Sequence, residues 1–402
     1  MAKKRLTFLL VIASTLLAHA QLPISAEDLP QIAPLFDTQG SKNTLHCSVI
    51  HLGPMLDFTL RHEVGILANL TAEEATPGNR LVLFLRVTPL DGQARFFGEN
   101  FDVPPIPPEA LRSAGAKHLD RIQFQMSAGF AIGEGRYAID LLMKDREQHA
   151  CRKHWTVKTP RHSKLASPSL PPNTVAPMDP EHWDGRLYQD GVRLTVFLHV
   201  APINPDASKL HAWDNSFLLQ SLATLLTQIP CQSVRVIGFS LDKQEKVFYE
   251  EHFDSRSYGK LVDTLHQQEF ATVRYQALQR GRGTRWLMSL VHEQTSGKSP
   301  SDVVVILGPT SRLTDKVFAE ASDASPHFFY FEYYPTFGNE FPDSIDFLTR
   351  GMHGTVYKIH SADQLGQAIQ KMMGQIRPAQ KIETLSISSP DAILRWQAGS
   401  SY

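Results

Sequence analysis

The hydrophobic pattern of the chain differs on the two sides of a proline-rich stretch, and this difference limits what the chain can fold into. Before the stretch, at residues 42–159, apolar and polar residues alternate, most regularly from Ile122 to Ile132. A period of two is typical of half-buried strands. After it, at residues 187–378, strand-like apolar runs alternate with segments of helical period, which is typical of an α/β domain. The proline-rich residues 160–186 are predicted to be a stiff, extended linker.

The first domain, residues 42–159, is predicted to be an all-β, immunoglobulin-like sandwich, because about seven strand-like runs separated by turns are typical of that architecture. Cys47 and Cys151 lie near its two ends. We expect them to form a disulfide bond, which an exported protein can keep, and two buried free thiols are the alternative. The third cysteine, Cys231, is interpreted as an inert core thiol.

Residues 1–20 have the pattern of a secretory signal peptide. Basic residues at positions 3–5 precede the apolar run Leu6–Leu17, and Ala18-His-Ala20 is a small-residue cleavage site. We expect cleavage between Ala20 and Gln21, with an uncleaved membrane anchor as the alternative. No later run reaches the ~18 apolar residues that a spanning helix needs. The sequence therefore predicts an exported protein, periplasmic or extracellular, with no stable membrane insertion once the signal is removed.

The charge and the motif content argue against several classes of function. The chain has 40 Lys and Arg against 41 Asp and Glu, a net charge of −1. Because nucleic-acid binding depends on basic residues, we expect no nucleic-acid partner. The sequence has no Walker A motif and no G-x-G-x-x-G fingerprint, and its 17 His show no ligand spacing such as H-E-x-x-H. We therefore expect no cofactor, no metal and no catalytic activity.

Three segments of the second half carry a family resemblance. They are the strand-like runs Ile237–Asp242 and Asp302–Pro309, and the turn Arg282-Gly-Thr284 that leads into a predicted helix. In element order and spacing, residues 191–378 resemble a von Willebrand factor type A (vWA) domain, and the chain is similar to the bacterial exported "VWFA-related" proteins. The resemblance implies a doubly wound, Rossmann-type α/β fold for residues 187–378 and a role in protein–protein interaction.

The divalent-cation site of vWA domains is largely absent from this sequence. The family holds its cation with Asp-x-Ser-x-Ser, a later Thr and a later Asp, because a hard cation such as Mg²⁺ needs several oxygen ligands. Residues 199–205 contain no Asp, Ser or Thr, and Gly308-Pro309 stands where the later Asp is expected. Thr284 matches the family pattern, and Asp206-Ala-Ser208 is at most a displaced remnant. The resemblance therefore implies a metal-free domain, with a cation-dependent adhesion domain as an alternative.

A candidate interaction rim follows from the predicted sheet, since ligands of open α/β sheets bind beyond the carboxyl ends of the strands. Arginines there could bind a partner's carboxylate directly; the alternative is that they are solvated or pair with acids such as Asp315. We expect an interaction or scaffold protein whose partner is a protein that the sequence does not name. The rim consists of Asn204, Arg282, Thr284, Arg285, Thr310, Ser311 and Arg312.

A serine hydrolase is the other alternative. Gly238-Phe-Ser-Leu-Asp242 partly resembles the nucleophile elbow, and Asp302 or Asp315 followed by His360 would complete a triad in the required order. The elbow must join a strand directly to a helix, whereas another strand-like run follows Ser240. Residues 379–402 are predicted to form a loosely ordered extension.

Overall fold

The computed structural model describes residues 22–37, 44–75, 78–109, 119, 122–159, 170–178, 183–204, 207, 209–268, 281–295, 300–311, 326–334 and 342–376. The predicted signal peptide, its cleavage site at Ala20 and Gln21, and the predicted C-terminal extension lie outside these residues. Among the described residues, no helix is both long and apolar enough to cross a membrane.

The described strands and helices follow one another in two blocks. The first block has β1 (Leu22–Pro23), α1 (Leu29–Asp37), β2 (Ser48–Leu56), β3 (His62–Thr71), β4 (Arg80–Pro89), β5 (Arg95–Asp102), β6 (Gln123–Ile132), β7 (Arg136–Lys144), β8 (Ala150–Lys158) and β9 (Val175–Pro177). The second has β10 (Val192–His199), α2 (Ala212–Gln228), β11 (Cys231–Ser240), β12 (Glu245–Glu250), α3 (Ser255–His266), α4 (Arg282–Thr295), β13 (Val303–Pro309), β14 (His327–Tyr333), α5 (Ser344–Gly351), β15 (Thr355–Ile359) and α6 (Ala362–Ile376).

Two antiparallel sheets form the first block. One has the order β1-β5-β4-β7-β8 and the other β2-β3-β6-β9. Alternate side chains of both sheets point into a shared core, for example Val64, Leu83, Phe130 and Ile139. The period of two in the sequence thus places one face of each strand in the apolar core, which is the arrangement that such alternation favours.

The third sheet has six strands in the order β12-β11-β10-β13-β14-β15. Its neighbours pair in parallel except for β12, which runs antiparallel to β11 at the edge. Strand β13 is buried on both faces: Val305 belongs to a core with α2, α3 and α6, and Val304 to a core with α4 and α5. A strand covered on both faces reads as a continuous apolar run, as Val303–Leu307 does.

The predicted fold class, an immunoglobulin-like sandwich followed by a doubly wound vWA-like domain, is corrected by the structure. Of the residues that the structure describes, 41% are in strands and 27% in helices, and the strands form three sheets. The prediction failed because hydrophobic periods identify elements one at a time. They do not show which sheet an element joins, or which segments cross from one block to the other.

One segment that crosses is the turn Asp57–Arg61, which joins β2 to β3. Phe58 and Leu60 of this turn are buried in the core of the six-stranded sheet. Phe58 lies against Phe217 of α2, with ring centroids 3.7 Å apart, and its carbonyl accepts a hydrogen bond from Thr224 Oγ1 at 2.7 Å. The Asp57 carboxylate holds the turn through the N–H groups of Thr59 and Arg61. The two blocks therefore share a core.

The predicted linker at residues 160–186 also contributes to both blocks. Strand β9, inside this stretch, pairs with β6, and Trp183 is buried in the core of the six-stranded sheet, where its ring stacks on Phe253. Within the described part of this stretch, Val175–Pro177 and Trp183 are thus packed against the protein.

The predicted disulfide is confirmed. Cys47 and Cys151 are bonded, with their Cα atoms 6.0 Å apart, and the bond connects the segment before β2 to the second residue of β8. Cys231 is a buried free thiol, as expected, and burial raises its pKa to about 12, so it stays protonated at neutral pH.

Candidate functional site

The carboxyl ends of β10 and β13 lie side by side, because these strands pair in parallel. Buried His199 at the end of β10 is linked to the other strand by a 2.8 Å contact between its Nδ1 and the Pro309 carbonyl. Thr310 donates its N–H to the carbonyl of Tyr333 in the next strand at 3.3 Å. The structure therefore brings Asn204, which is exposed, to the same edge of the sheet as Thr310 and Ser311.

Helix α4 begins at this same edge. Trp286 in its first turns contacts Phe239 near the end of β11, whereas Gln294 near its last residue accepts a hydrogen bond from Arg235, early in β11. Arg282, Thr284 and Arg285 open the helix and so lie at this edge. Arg285 is exposed and Thr284 is buried. Arg312, the remaining rim residue, lies outside the described residues.

A group of three carboxylates lies beneath the edge, and we call Glu332, Asp343 and Asp346 the acidic group. Glu332, on β14, is fully buried, and among the described residues neither of its carboxylate oxygens has a hydrogen-bond partner. Burial, together with the charges of Asp343 and Asp346, raises the pKa of Glu332 to about 8. Glu332 is therefore mostly protonated at neutral pH, and it is shielded from solutes.

Asp343 connects the strand ends to helix α5. Its carboxylate accepts the N–H of Asp346 at 2.7 Å and so caps the helix, and it also accepts the N–H of Ser311, which follows β13. The Tyr330 hydroxyl donates to it at 3.4 Å. Burial raises the pKa of Asp343 to about 6, although the backbone N–H groups oppose the rise. Asp343 therefore ties the loop after β13 to the start of helix α5.

An exposed tryptophan lies at the same edge and was missed from the sequence. Asp214 ties the loop after β10 to the start of α2, because it accepts the N–H groups of Ile203 and His211 at 3.1 and 2.8 Å. The neighbouring Trp213 is 69% exposed. Its ring lies 6.2 Å from Phe217, which packs on buried Tyr333 at 4.2 Å. Hydrophobic periodicity finds buried faces, so an exposed aromatic ring leaves no comparable signal.

The residues of the alternative serine hydrolase are not assembled. Ser240 is buried, and its Oγ lies 3.4 Å from the N–H of Lys243, in the turn that leads into antiparallel β12. His360 follows β15, four strand spacings or roughly 19 Å away along the sheet. Asp302 begins β13, at the opposite edge, where it is bonded to Arg193. Asp315, the other acid considered, lies outside the described residues.

Among the described residues, the His, Asp and Glu side chains able to hold a metal ion together are Asp145, Glu147 and His149. They lie on the first block of the chain, between β7 and β8, and not at the edge of the six-stranded sheet. The described part of the edge thus offers one matching oxygen of the vWA pattern, the hydroxyl of Thr284, while Asp206 and Ser208 lie outside the described residues.

Comparisons with known proteins add little. No protein-family model matches the sequence, and no curated protein matches it. Similar solved structures include an ApaA protein from Bordetella pertussis, with 9% identity and a TM-score of 0.19 over 29% of this chain and 94% of that one. A β-glucuronidase from Bacteroides uniformis has 9% identity and a TM-score of 0.18, over 71% of this chain and 36% of that one.

A glycosyl hydrolase family 2 member from Bacteroides cellulosilyticus has 12% identity and a TM-score of 0.17, over 75% of this chain and 37% of that one. None of these three is a vWA domain, so the predicted family resemblance finds no counterpart among them. Their TM-scores are too low for any argument about the function of this chain.

Proposed function

We propose that this chain is an exported, non-catalytic interaction protein, and that it binds a protein partner at the carboxyl edge of its six-stranded sheet. The observation that carries the proposal is Trp213. A tryptophan exposed at 69% on a cluster of packed rings offers a partner a large apolar contact that is already held in place. Such rings are over-represented among the residues that dominate binding energy in protein interfaces.

The charge at the edge indicates the chemistry of the partner. Arg285 is exposed at the start of α4, and Lys209 is exposed in the loop that precedes α2. Arginine is suited to bind a carboxylate through two parallel hydrogen bonds. We therefore propose a partner that presents an apolar side chain together with an Asp, a Glu or a C-terminal carboxylate.

Export is part of the same proposal. The Cys47–Cys151 disulfide is of a kind that persists in oxidising compartments outside the cytoplasm. The signal-like pattern of residues 1–20 supports the same location, periplasmic or extracellular. A test is the mass of the mature protein after expression in its native cell, because cleavage after Ala20 would leave Gln21 at the N-terminus.

Trp213→Ala is the variant that tests the binding site. The full-length wild type is cross-linked in its native envelope, the cross-linked proteins are identified, and the affinity of each purified candidate is then measured. Trp213→Ala is expected to weaken binding about 30-fold, the effect of a dominant interface residue. Arg285→Gln is expected to weaken it less, and most strongly at low salt, because exposed charges are screened.

The matched control is Tyr249→Ala, which removes an exposed aromatic ring from β12 at the side of the sheet. It should leave the affinity unchanged. The binding site is wrong if Trp213→Ala and Tyr249→Ala have equal effects. The non-catalytic function is wrong if the protein hydrolyses ester substrates and Ser240→Ala abolishes that activity.

A further inference from the structure

The turn between β7 and β8 places one imidazole beside two carboxylates. Asp145 begins the turn and its N–H donates to the carbonyl of His149 at 3.1 Å. The Asp145 carboxylate in turn accepts the N–H of His149 at 2.8 Å. Just beyond the turn, β8 is fixed by its pairing with β7 and by the disulfide at Cys151. These bonds hold the side chains at residues 145 and 149 on one side of a rigid hairpin end.

The ligand-type atoms of this turn have the separations of a metal site. His149 Nδ1 lies 2.8 Å from Asp145 Oδ2 and 3.8 Å from Glu147 Oε2, and one such atom from each residue lies within 4.8 Å of the others. Donors bound at 2.0–2.2 Å to one tetrahedral or octahedral ion lie about 3–3.5 Å apart. Binding an ion therefore requires the Asp145–His149 pair to separate slightly and the exposed Glu147 side chain to rotate towards them.

The surroundings add to the attraction for a cation. The carboxylates of Asp145 and Glu147, 2.8 and 3.8 Å from His149 Nδ1, place negative charge beside the ring. Glu74 adds a further negative charge that acts on His149.

We propose that Asp145, Glu147 and His149 bind a divalent transition-metal ion, with Zn²⁺ as the reference ion. Two carboxylates balance the 2+ charge of the ion. The Nδ1 atom of the neutral imidazole supplies a nitrogen ligand, which Zn²⁺ accepts readily, whereas Ca²⁺ and Mg²⁺ prefer sites made of oxygen ligands alone. The ion takes the place of the proton between His149 and Asp145. Three protein ligands leave at least one position for water.

The test is calorimetric titration of the full-length protein with Zn²⁺ in a buffer well on the alkaline side of neutrality, because the neighbouring carboxylates raise the pKa of His149 and the imidazole must be neutral to bind the ion. We expect one Zn²⁺ site that Glu147→Gln weakens at least tenfold and His149→Ala weakens further. Glu147 is 77% exposed at its side chain, so neither folding nor packing depends on it. Zn²⁺ should also raise the unfolding temperature of the wild type, since it binds the folded turn.

The matched control is His154→Ala. His154 lies on β8, just beyond the turn, and also contacts a carboxylate, with its Nδ1 2.7 Å from Asp140 Oδ1, but it does not belong to the group of side chains able to hold an ion together. Its removal should leave Zn²⁺ affinity unchanged. The proposal is wrong if His154→Ala and His149→Ala lose affinity equally, if Glu147→Gln binds Zn²⁺ like the wild type, or if Ca²⁺ binds this turn more tightly than Zn²⁺.

Discussion

At the scale of single residues, Glu332 has the most direct consequence for stability. It is buried without a hydrogen-bond partner among the described residues, and its pKa rises from an ordinary 4.5 to about 8. Between these values the folded protein keeps a proton that the unfolded chain has released. Since the unfolded state then binds fewer protons, the free energy of unfolding falls as the pH rises through this window.

Glu332→Gln should remove this pH dependence, because the amide has a similar shape and no charge. We expect the variant to gain stability relative to the wild type, by roughly 2–4 kcal/mol between pH 5 and pH 8. Below about pH 4 the two proteins should respond alike, since both side chains are then neutral. Urea unfolding across that pH range measures the effect, and the exposed Glu27→Gln serves as the control that should show none of it. A constant difference at every pH would contradict the raised pKa.

The sequence predicts part of this site and not the rest. If residues 328–334 form a strand, alternation puts the side chain of Glu332 on the same face as that of Tyr330. Both side chains are buried in the structure. The sequence pattern could not show that the carboxylates of Asp343 and Asp346 lie close to this face. Both stand at the start of α5, and only the folded structure brings that helix against β14. A pKa shift that is caused by burial and by charges far away in the sequence leaves no signal in the residues around Glu332.

At the scale of elements, Asp343 decides where α5 begins. It accepts two backbone N–H groups, one from its own helix and one from Ser311. Asp343→Ala should cost about 2–3 kcal/mol, because both groups lose a buried acceptor. The matched control is Asp254→Ala, which removes the cap of α3, where the carboxylate accepts the N–H of Ser257 at 2.7 Å, and should cost about 1 kcal/mol. Equal costs, measured by denaturant unfolding, would show that the Ser311 bond contributes nothing.

Elements with a long regular period were predictable, and those fixed by packing were not. The strand-like run Asp302–Pro309 matches β13, which begins one residue later and ends at the same residue, and Ile237–Asp242 overlaps the last four residues of β11. Helix α5 was missed, since eight residues give two turns and too few repeats to show a helical period. Strand β9 was also missed, because three residues in a proline-rich stretch carry no alternation.

At the scale of the whole molecule, Phe58 joins the two blocks. Phe58→Ala should leave a cavity against Phe217 and Tyr333 and cost about 3–5 kcal/mol. The loss of stability should affect the six-stranded sheet, which should then unfold at a lower temperature than the sandwich. Scanning calorimetry should therefore resolve two transitions. Met55→Ala, on the same hairpin and 62% exposed, should change stability by less than about 0.5 kcal/mol. A single transition in Phe58→Ala, shifted as a whole, would show that the blocks stay coupled by other contacts.

The turn at Asp57–Arg61 also has a consequence for the order in which the protein is made. A chain is synthesised from its N-terminus, and early segments can fold before later ones appear. Phe58 meets its hydrogen-bond partner Thr224 only 166 residues later. Because β2 and β3 are synthesised before α2, the hairpin that they form, with its Asp57 turn, can fold before α2 is available. Phe58 and Leu60 then offer an apolar surface on which the core of the six-stranded sheet can form.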